Sequence, residues 1–517
     1  MHTKHLAATS LFMLLLAACG SSSVGTDSSS TSATTTSGDS GTSQPAPVTL
    51  RYAGWNLGTV GQNNIERQLL AAYQEENPHV TIEIIERPVV IDEETGSEST
   101  VSWDEFFATQ AAIDNLPDVY MIYNLAGFTA QGWTEELTDL VEADPDFELI
   151  PEDIRKSASF NDRFFALPQS LFYYGFFINR TAINRAGPRA VMPTYGMTYE
   201  QLMDAAEKDS KAPVEGGDGI IGISGLDNLV NWMPAQLDPN LGWFTYNETD
   251  GYHLDSPAFA SAVAEQLKYY GPGKSAYGGY VLDALDPSKY ADYFGVSQNV
   301  FESGNQSIRF EGSYSMRDWH TRSLDPNDSL YGADIDFIGT PSWNVPEVGN
   351  VHRIPVVVDY LAVGKGTDYR EEAYKLAKWM GFSAEGYEKR LDLAETNPAQ
   401  SALNFTPLIN REDLVNRFFE LYPNMTEFKK IVVEHDQFIL ESLGKNVPGY
   451  WDSRSNALFD TIQVGGVDTN RSIGQAVVDI YSGNLTLADA LQKGLNTIAN
   501  QQWQTAKVAL DEYLADN

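Results

Sequence analysis

Two dipeptides set an aromatic ring beside a planar amide at the end of a strand-like run. Trp55-Asn56 closes the run VTLRYAGW that begins at Val48, and Tyr123-Asn124 closes the run from Pro117. The ring can stack on an apolar C–H surface, while the amide donates and accepts hydrogen bonds. Open α/β sheets hold ligands at the carboxyl ends of their strands, where both pairs stand. Gln169 repeats the combination after Pro168, next to Phe172, Tyr173 and Tyr174, with Tyr173 the favoured platform. Asn231-Trp232 and Trp451, the latter in Tyr450-Trp451-Asp452, offer aromatic rings in stretches rich in Gly, Asn and Pro. Asp359 interrupts the apolar run Val356–Val363, so its carboxylate belongs either in a cleft or in a salt bridge; the cleft is favoured. For each ring, packing in a core is the competing reading.

Other chemistries are missing. Gly271-Pro-Gly-Lys-Ser275 resembles the end of a phosphate loop, but Lys268 occupies the position of its first glycine. Gly222-Ile-Ser-Gly225 lacks the glycine spacing of a nucleophile elbow. The single cysteine excludes both an intramolecular disulfide and a cysteine-based zinc site, and the histidines beyond residue 18 (79, 253, 320, 352 and 435) have no metal spacing. Asp325, Asn327 and Asp328 fall short of a calcium loop and read as a polar turn. No metal and no cofactor is expected. A glycoside hydrolase stays open as an alternative, because it needs only two carboxylates at the right separation.

The 517 residues carry a net charge of −37, which argues against nucleic acid as a partner, since phosphate binding needs an excess of Lys and Arg. Aromatic residues reach 12%, too many for a disordered chain. The N-terminus has its own pattern: a weakly basic start, the short apolar run Leu11–Ala18, then Leu16-Ala-Ala-Cys19. This resembles the bacterial lipobox, which implies cleavage of residues 1–18 and lipidation of Cys19. From Gly20 to Gln44, 16 of 25 residues are Ser or Thr, too polar to bury a core, so residues 19–47 read as a tether.

The elements that must position the candidate residues alternate between strand and helix. Val80–Ile85, Pro117–Tyr123, Ile335–Ile338 and Val356–Val363 read as strands. Helices follow Asn63 or Asn64, cover about 103–113 and 371–380, and dominate beyond about 410. Thr486-Leu-Ala-Asp489 marks a helix start ahead of Leu491, Leu495 and Ile498 on one face, and 212–250 reads as long loops. The fold class is α/β with a largely parallel sheet.

Four stretches in order carry a resemblance: Val48–Trp55 with its following helix; Leu116-Pro-Asp-Val-Tyr with Leu137-Thr-Asp-Leu140; Phe165-Ala-Leu-Pro168 through Phe177-Ile-Asn179 to Ala186-Gly187; and Phe301-Glu-Ser-Gly304 through Glu311-Gly-Ser-Tyr314. Together with Ser482–Leu491 they resemble the extracellular solute-binding proteins (family 1 type) of bacterial carbohydrate ABC transporters. Ile178, Arg180, Ser307, Ile308 and Tyr314 are mild departures from that pattern. The resemblance implies a two-lobed periplasmic-binding-protein-like fold (type II), with a hinge and a sugar held in the interlobe cleft. It places Tyr314 where the family often has a stacking aromatic, with Glu311 beside it to accept sugar hydroxyls. It implies one lobe from 48–168 with about 355–405, and a second from 169–354 with about 406–517, with insertions near 86–102 and 205–300. Crossings are expected near Leu167–Leu171, Asn344–Tyr360 and Leu403–Leu408. The partners implied are a mono- or oligosaccharide, the permease subunits of an ABC importer, and a membrane reached through the lipid on Cys19, on the extracytoplasmic side. No catalysis is expected; a surface adhesin lipoprotein is the remaining alternative.

Overall fold

The computed structural model describes residues 45–91, 97–211, 215–456, 462–464 and 467–517. The expected export segment, Cys19 and the expected tether up to residue 44 lie outside the described residues.

Strand β1 (Val48–Ala53) buries Leu50, Tyr52 and Ala53, and Gly54 ends it. A Cβ at Gly54 would meet Asn56 Oδ1 at 2.7 Å, so glycine lets the turn into Trp55–Leu57 close tightly. Of the two candidate caps Asn64 is the one used: its side chain accepts from Arg67 N at the start of α1 (Ile65–Glu76). β2 (Val80–Ile84) returns parallel to β1, pairing Val48 with Val80, and β3 (Val119–Ile122) adds on the other side of β1, pairing Tyr52 with Val119. Asn124 then caps α2 (Leu125–Ala130).

The central strand is β4 (Leu167–Asn179), thirteen residues long and buried almost throughout. β5 (Ile221–Ser224), helix α3 (Leu229–Leu237), β6 (Gln306–Gly312), helix α4 (Met316–Leu324) and β7 (Ile335–Gly339) follow. β8 (Ile354–Val363), helices α5 (Arg370–Met380), α6 (Ala384–Thr396) and α7 (Thr426–Glu434), and the short β9 (Phe438–Ile439) complete the part that shapes the site. These strands make one nine-stranded sheet in the order β2-β1-β3-β8-β4-β6-β5, with β7 also on β4 and β9 on β8. The first half of β4 pairs with β8 and the second half with β6 and β7, so one strand belongs to both halves of the sheet.

Two cores flank this arrangement. One gathers Leu50, Leu69, Phe107, Tyr120, Leu361 and Leu376; the other gathers Ile223, Trp232, Phe259, Ile308, Ile480 and Trp503. The protein is a two-lobed α/β fold. Among the described residues, no helix is long and apolar enough to cross a membrane.

Three expectations fail. The sheet is mixed and not largely parallel, because β8 runs antiparallel to both β3 and β4, and β4 runs antiparallel to β6 and β7. The stretch 212–250 is not all loop: it contains β5 and the helix α3, whose sequence LVNWMPAQL carries no charge and has only Asn231 and Gln236 as polar residues, and which is buried along nearly its whole length. The helix starting after Thr486 ends at Gln492, because Gly494 takes φ +94 and opens a new helix, α8 (Leu495–Asp516). Leu491 and Leu495 therefore belong to different helices.

Candidate functional site

A cavity of about 560 Å³ opens where the turn after β1, the start of α1, the first half of β4, the middle of β8, α4 and the segment Gln400–Phe405 converge. Trp55, Asn56, Gln169 and Asp359 all line it. Four residues scattered over three hundred positions of sequence thus meet in one place.

The local backbone explains how. In the register of β8 on β4, Asp359 faces Ser170 and Tyr360 faces Pro168, so Gln169 is the extra residue of a bulge. Pro168 has no N–H to give the ladder, which favours an irregularity there. The bulge turns both Gln169 and Ser170 toward the cavity, although neighbours on a regular strand point to opposite faces. Phe172 follows on the same side, with edge contacts to Phe405 at 6.0 Å and Tyr314 at 5.8 Å.

The polar wall is rich in acceptors. Gln169 is 2% exposed and its Oε1 has no protein partner among the described residues; the same holds for Asn56 Oδ1. Buried amide oxygens left open are costly unless something else bonds them. Asp359 accepts from Ser170 Oγ at 3.1 Å and pairs with Lys445. Glu66 is held by two bonds from Arg390, at 2.7 and 2.8 Å. Asp318 lies 3.8 Å from Arg322, whereas Arg317, exposed at the rim, has no ion pair among the described residues.

The other candidates stand elsewhere. Tyr123 backs Trp55, ring centroids 6.2 Å apart, and burial together with a hydrogen bond to Asp104 pushes its phenol well up. The Asn124 side chain is engaged as the cap of α2, accepting from Gly127 N at 3.0 Å. Tyr173 points away from the cavity to the reverse face of β4, packed edge-on against Phe428 and Phe438. Trp232 is 0% exposed and lies parallel to Phe310 inside the second core, a consequence of the buried helix that carries it. Tyr314 is 37% exposed; its hydroxyl donates to Glu311 at 2.8 Å, and Glu311 is also paired with Arg309 at 3.1 Å. Phe172 connects this pair to the cavity. Trp451 is 36% exposed and leans edge-on against Tyr450, whose hydroxyl accepts from Trp243 Nε1 at 3.0 Å.

Sequence reasoning missed Glu66, Arg317, Asp318, Thr321, Gln400 and Asn404, all at the cavity. For α4 the signal was weak: nothing in MRDWHTRSL says that its first turn faces β4. The amides around Pro398 were a usable signal, since a run of Asn and Gln beside an expected crossing is an unusual way to build a plain connector. Among the described residues, no group of three or more His, Cys, Asp or Glu is placed to hold a metal.

The family model for bacterial extracellular solute-binding proteins matches residues 61–386. The chain belongs to that family. It is a binding protein and not an enzyme. Among solved structures, the solute-binding protein is similar to an ABC substrate-binding protein from Listeria monocytogenes in complex with cycloalternan (TM-score 0.59, 15% identity, 88% of this chain and 99% of that one). It is similar to the same extent to a sugar transporter protein from Rhizobium etli in an open conformation (TM-score 0.59, 15% identity, 88% and 99%). A cyclic alpha-maltosyl-1,6-maltose binding protein from Arthrobacter globiformis gives a TM-score of 0.56 at 13% identity, over 89% and 100%. At these identities the likeness concerns the fold. No curated protein sequence matches the chain.

Proposed function

We propose that this solute-binding protein captures a carbohydrate in the cavity between its lobes and delivers it to an ABC importer, tethered to the membrane by a lipid on Cys19. The observation that carries the ligand class is the composition of the wall. Trp55, Phe172 and Phe405 offer ring faces, Asn56 and Gln169 offer open acceptor oxygens to ligand hydroxyls, and Asp359 adds the remaining lone pairs of a carboxylate already bonded to Ser170 and Lys445. A similar fold in complex with cycloalternan, and another that is a cyclic alpha-maltosyl-1,6-maltose binding protein, support the same class. We take Trp55, Asn56, Gln169 and Asp359 as direct contacts, with Tyr123 behind them and with Tyr314, Glu311 and Trp451 as the rim that a larger saccharide reaches. The lobes are assigned as 48–168 with about 355–405, and 169–354 with about 406–517.

A thermal-shift screen of the purified protein against cycloalternan, maltose, mannitol and a wider saccharide panel tests the reading. A ligand at 100 times its dissociation constant adds about 2.7 kcal/mol of stability. Stabilisation by at least one saccharide, recovered chemically intact, is expected. A flat response to every saccharide would overturn the carbohydrate assignment, and hydrolysis products would overturn the binding role. Cys19→Ser tests the tether separately: it should release the protein from membranes with ligand affinity unchanged.

A further inference from the structure

Behind Asp359 lies a buried turn that the binding reading does not use. The chain leaves β9 and passes through Glu441–Lys445 before Val447 and Tyr450 join the second core. Glu441 is fully buried and sits at φ +46, a left-handed conformation that side-chain-bearing residues seldom adopt. Its carboxylate is what holds it there: Oε1 accepts from Val358 N at 2.6 Å and Oε2 from Lys445 N at 3.2 Å. Lys445 is 4% exposed, donates to Val358 O at 2.9 Å and pairs with Asp359; its own carbonyl accepts from Leu125 N of α2 at 2.8 Å. One turn therefore bonds both backbone groups of Val358, the carboxylate of Asp359 and a helix of the first lobe.

We propose that Lys445, seated by the strained Glu441, is a positioning residue for ligand binding that keeps Asp359 aimed into the cavity, where the remaining lone pairs of its carboxylate can accept from a ligand hydroxyl. The proposal rests on the carbohydrate reading of the cavity. The physical reason is charge. A carboxylate on a buried strand, with no cation beside it, is driven either to take a proton or to swing toward water, and in both cases it loses acceptor capacity. Lys445 supplies the cation, and Ser170 donates to the second oxygen of the same carboxylate. The groups facing Glu441 are Lys445, Asp359 and Tyr360; burial pushes its carboxyl up to about 7, against the pull of the lysine.

The experiment titrates cycloalternan, maltose and mannitol calorimetrically into the full-length wild type, Lys445→Met, Lys445→Arg, Asp359→Asn and the double variant K445M/D359N. Expected is a loss on the order of tenfold in Lys445→Met and in Asp359→Asn, the size of one charge-assisted hydrogen bond. Lys445→Arg should recover most of it. The double variant should bind no worse than the weaker single one, because both changes remove the same contact. Without ligand, the carbon resonance of the Glu441 carboxyl should titrate higher in Lys445→Met than in the wild type, since the lysine lowers it. Lys445→Met binding within about twofold of the wild type, or losses that add in the double variant, would overturn the proposal. Should Lys445→Met fail to fold, K445M/E441Q replaces it, because removing one charge of each sign leaves the net charge of the turn unchanged. Trp55→Ala separates the two readings. If it weakens binding while Lys445→Met and Asp359→Asn do not, the positioning role fails and the cavity stands; if no saccharide binds the wild type, both fall.

Discussion

Arg390→Met should destabilise the protein by about 3–5 kcal/mol, the cost of removing one partner from a buried ion pair. Arg390 is fully buried, and its guanidinium makes two bonds to Glu66 at 2.7 and 2.8 Å, a third to Met380 O at 2.7 Å, and lies 5.1 Å over the ring of Phe405. Glu66 belongs to the first turn of α1 and Arg390 to α6, so the pair fastens two helices at the floor of the cavity. Glu66 touches the cavity, and water entering there softens the loss of its cation; the lower end of the range, about 3 kcal/mol, is therefore expected. Met380 O also loses a donor, worth about 1 kcal/mol. The double variant E66M/R390M fills the same space without stranding a charge. It should recover all but about 1–2 kcal/mol, since buried pairs often exchange for apolar residues at little net cost. Urea unfolding followed by tryptophan fluorescence reads both. A single variant that loses less than about 1 kcal/mol, or a double variant no more stable than Arg390→Met alone, would refute the reasoning.

Truncating Trp55 or Gln169 to Ala should cost about 1–3 kcal/mol of saccharide affinity with the fold intact, measured by calorimetry. Tyr173→Phe should leave affinity unchanged, because the ring faces away from the cavity into the packing around Phe428 and Phe438. His352 and His435 face each other at 4.8 Å; burial and its neighbour push His352 down to about 4, and burial pushes His435 down as well. Burial favours the neutral form of both in the folded state; the contribution of His352 is complete above about 6.5 and is lost as pH falls through about 4, a loss that His352→Phe should reduce in pH-dependent melting. Burial pushes Asp209 up to about 7, which has the opposite sign: stability falls as pH rises from about 4 to 7, and Asp209→Asn should flatten that slope.

Trp55, Asn56, Gln169 and Asp359 were legible because each breaks a pattern: a ring and an amide at a strand end, an amide after a strand proline, a carboxylate inside an apolar run. What the sequence did not reveal was depth. Tyr123-Asn124 has the same form as Trp55-Asn56, yet its ring lies one layer back, and its amide caps the helix that happens to follow. Trp232 stands in a Gly- and Asn-rich neighbourhood that outweighs the uncharged, mostly apolar character of LVNWMPAQL, which buries it. The bulge at Gln169 could be suspected from Pro168, but not the facing residue that defines its register. Arg317 and Asp318 reach the cavity through the packing of α4 against β4, a tertiary fact with no local signature.

The same strand that carries the bulge sets the expected motion. Along β4, Ser170 and Phe172 face the cavity while Leu171 and Tyr173 face a separate groove of about 770 Å³ on the reverse side. That groove is bounded by residues 148–153 on one side and by the end of α7 and the residues after it on the other. Asp336 of β7 accepts from Glu427 N and Phe428 N at the start of α7, which ties that helix to the second half of the sheet. The two hollows thus lie on opposite faces of the crossing strands, and a bend that narrows one widens the other. A few residues of β4 and β8 can absorb such a bend without opening either core. A saccharide favours the closed form only by the contacts it gains there, so closure requires a ligand that touches both lobes. Small-angle scattering on the chain from Ala46 onward should therefore give a smaller radius of gyration with saturating saccharide than without it. An unchanged radius at saturation would mean that all the ligand contacts lie on one side of the crossing strands, and the hinge would have no part in binding.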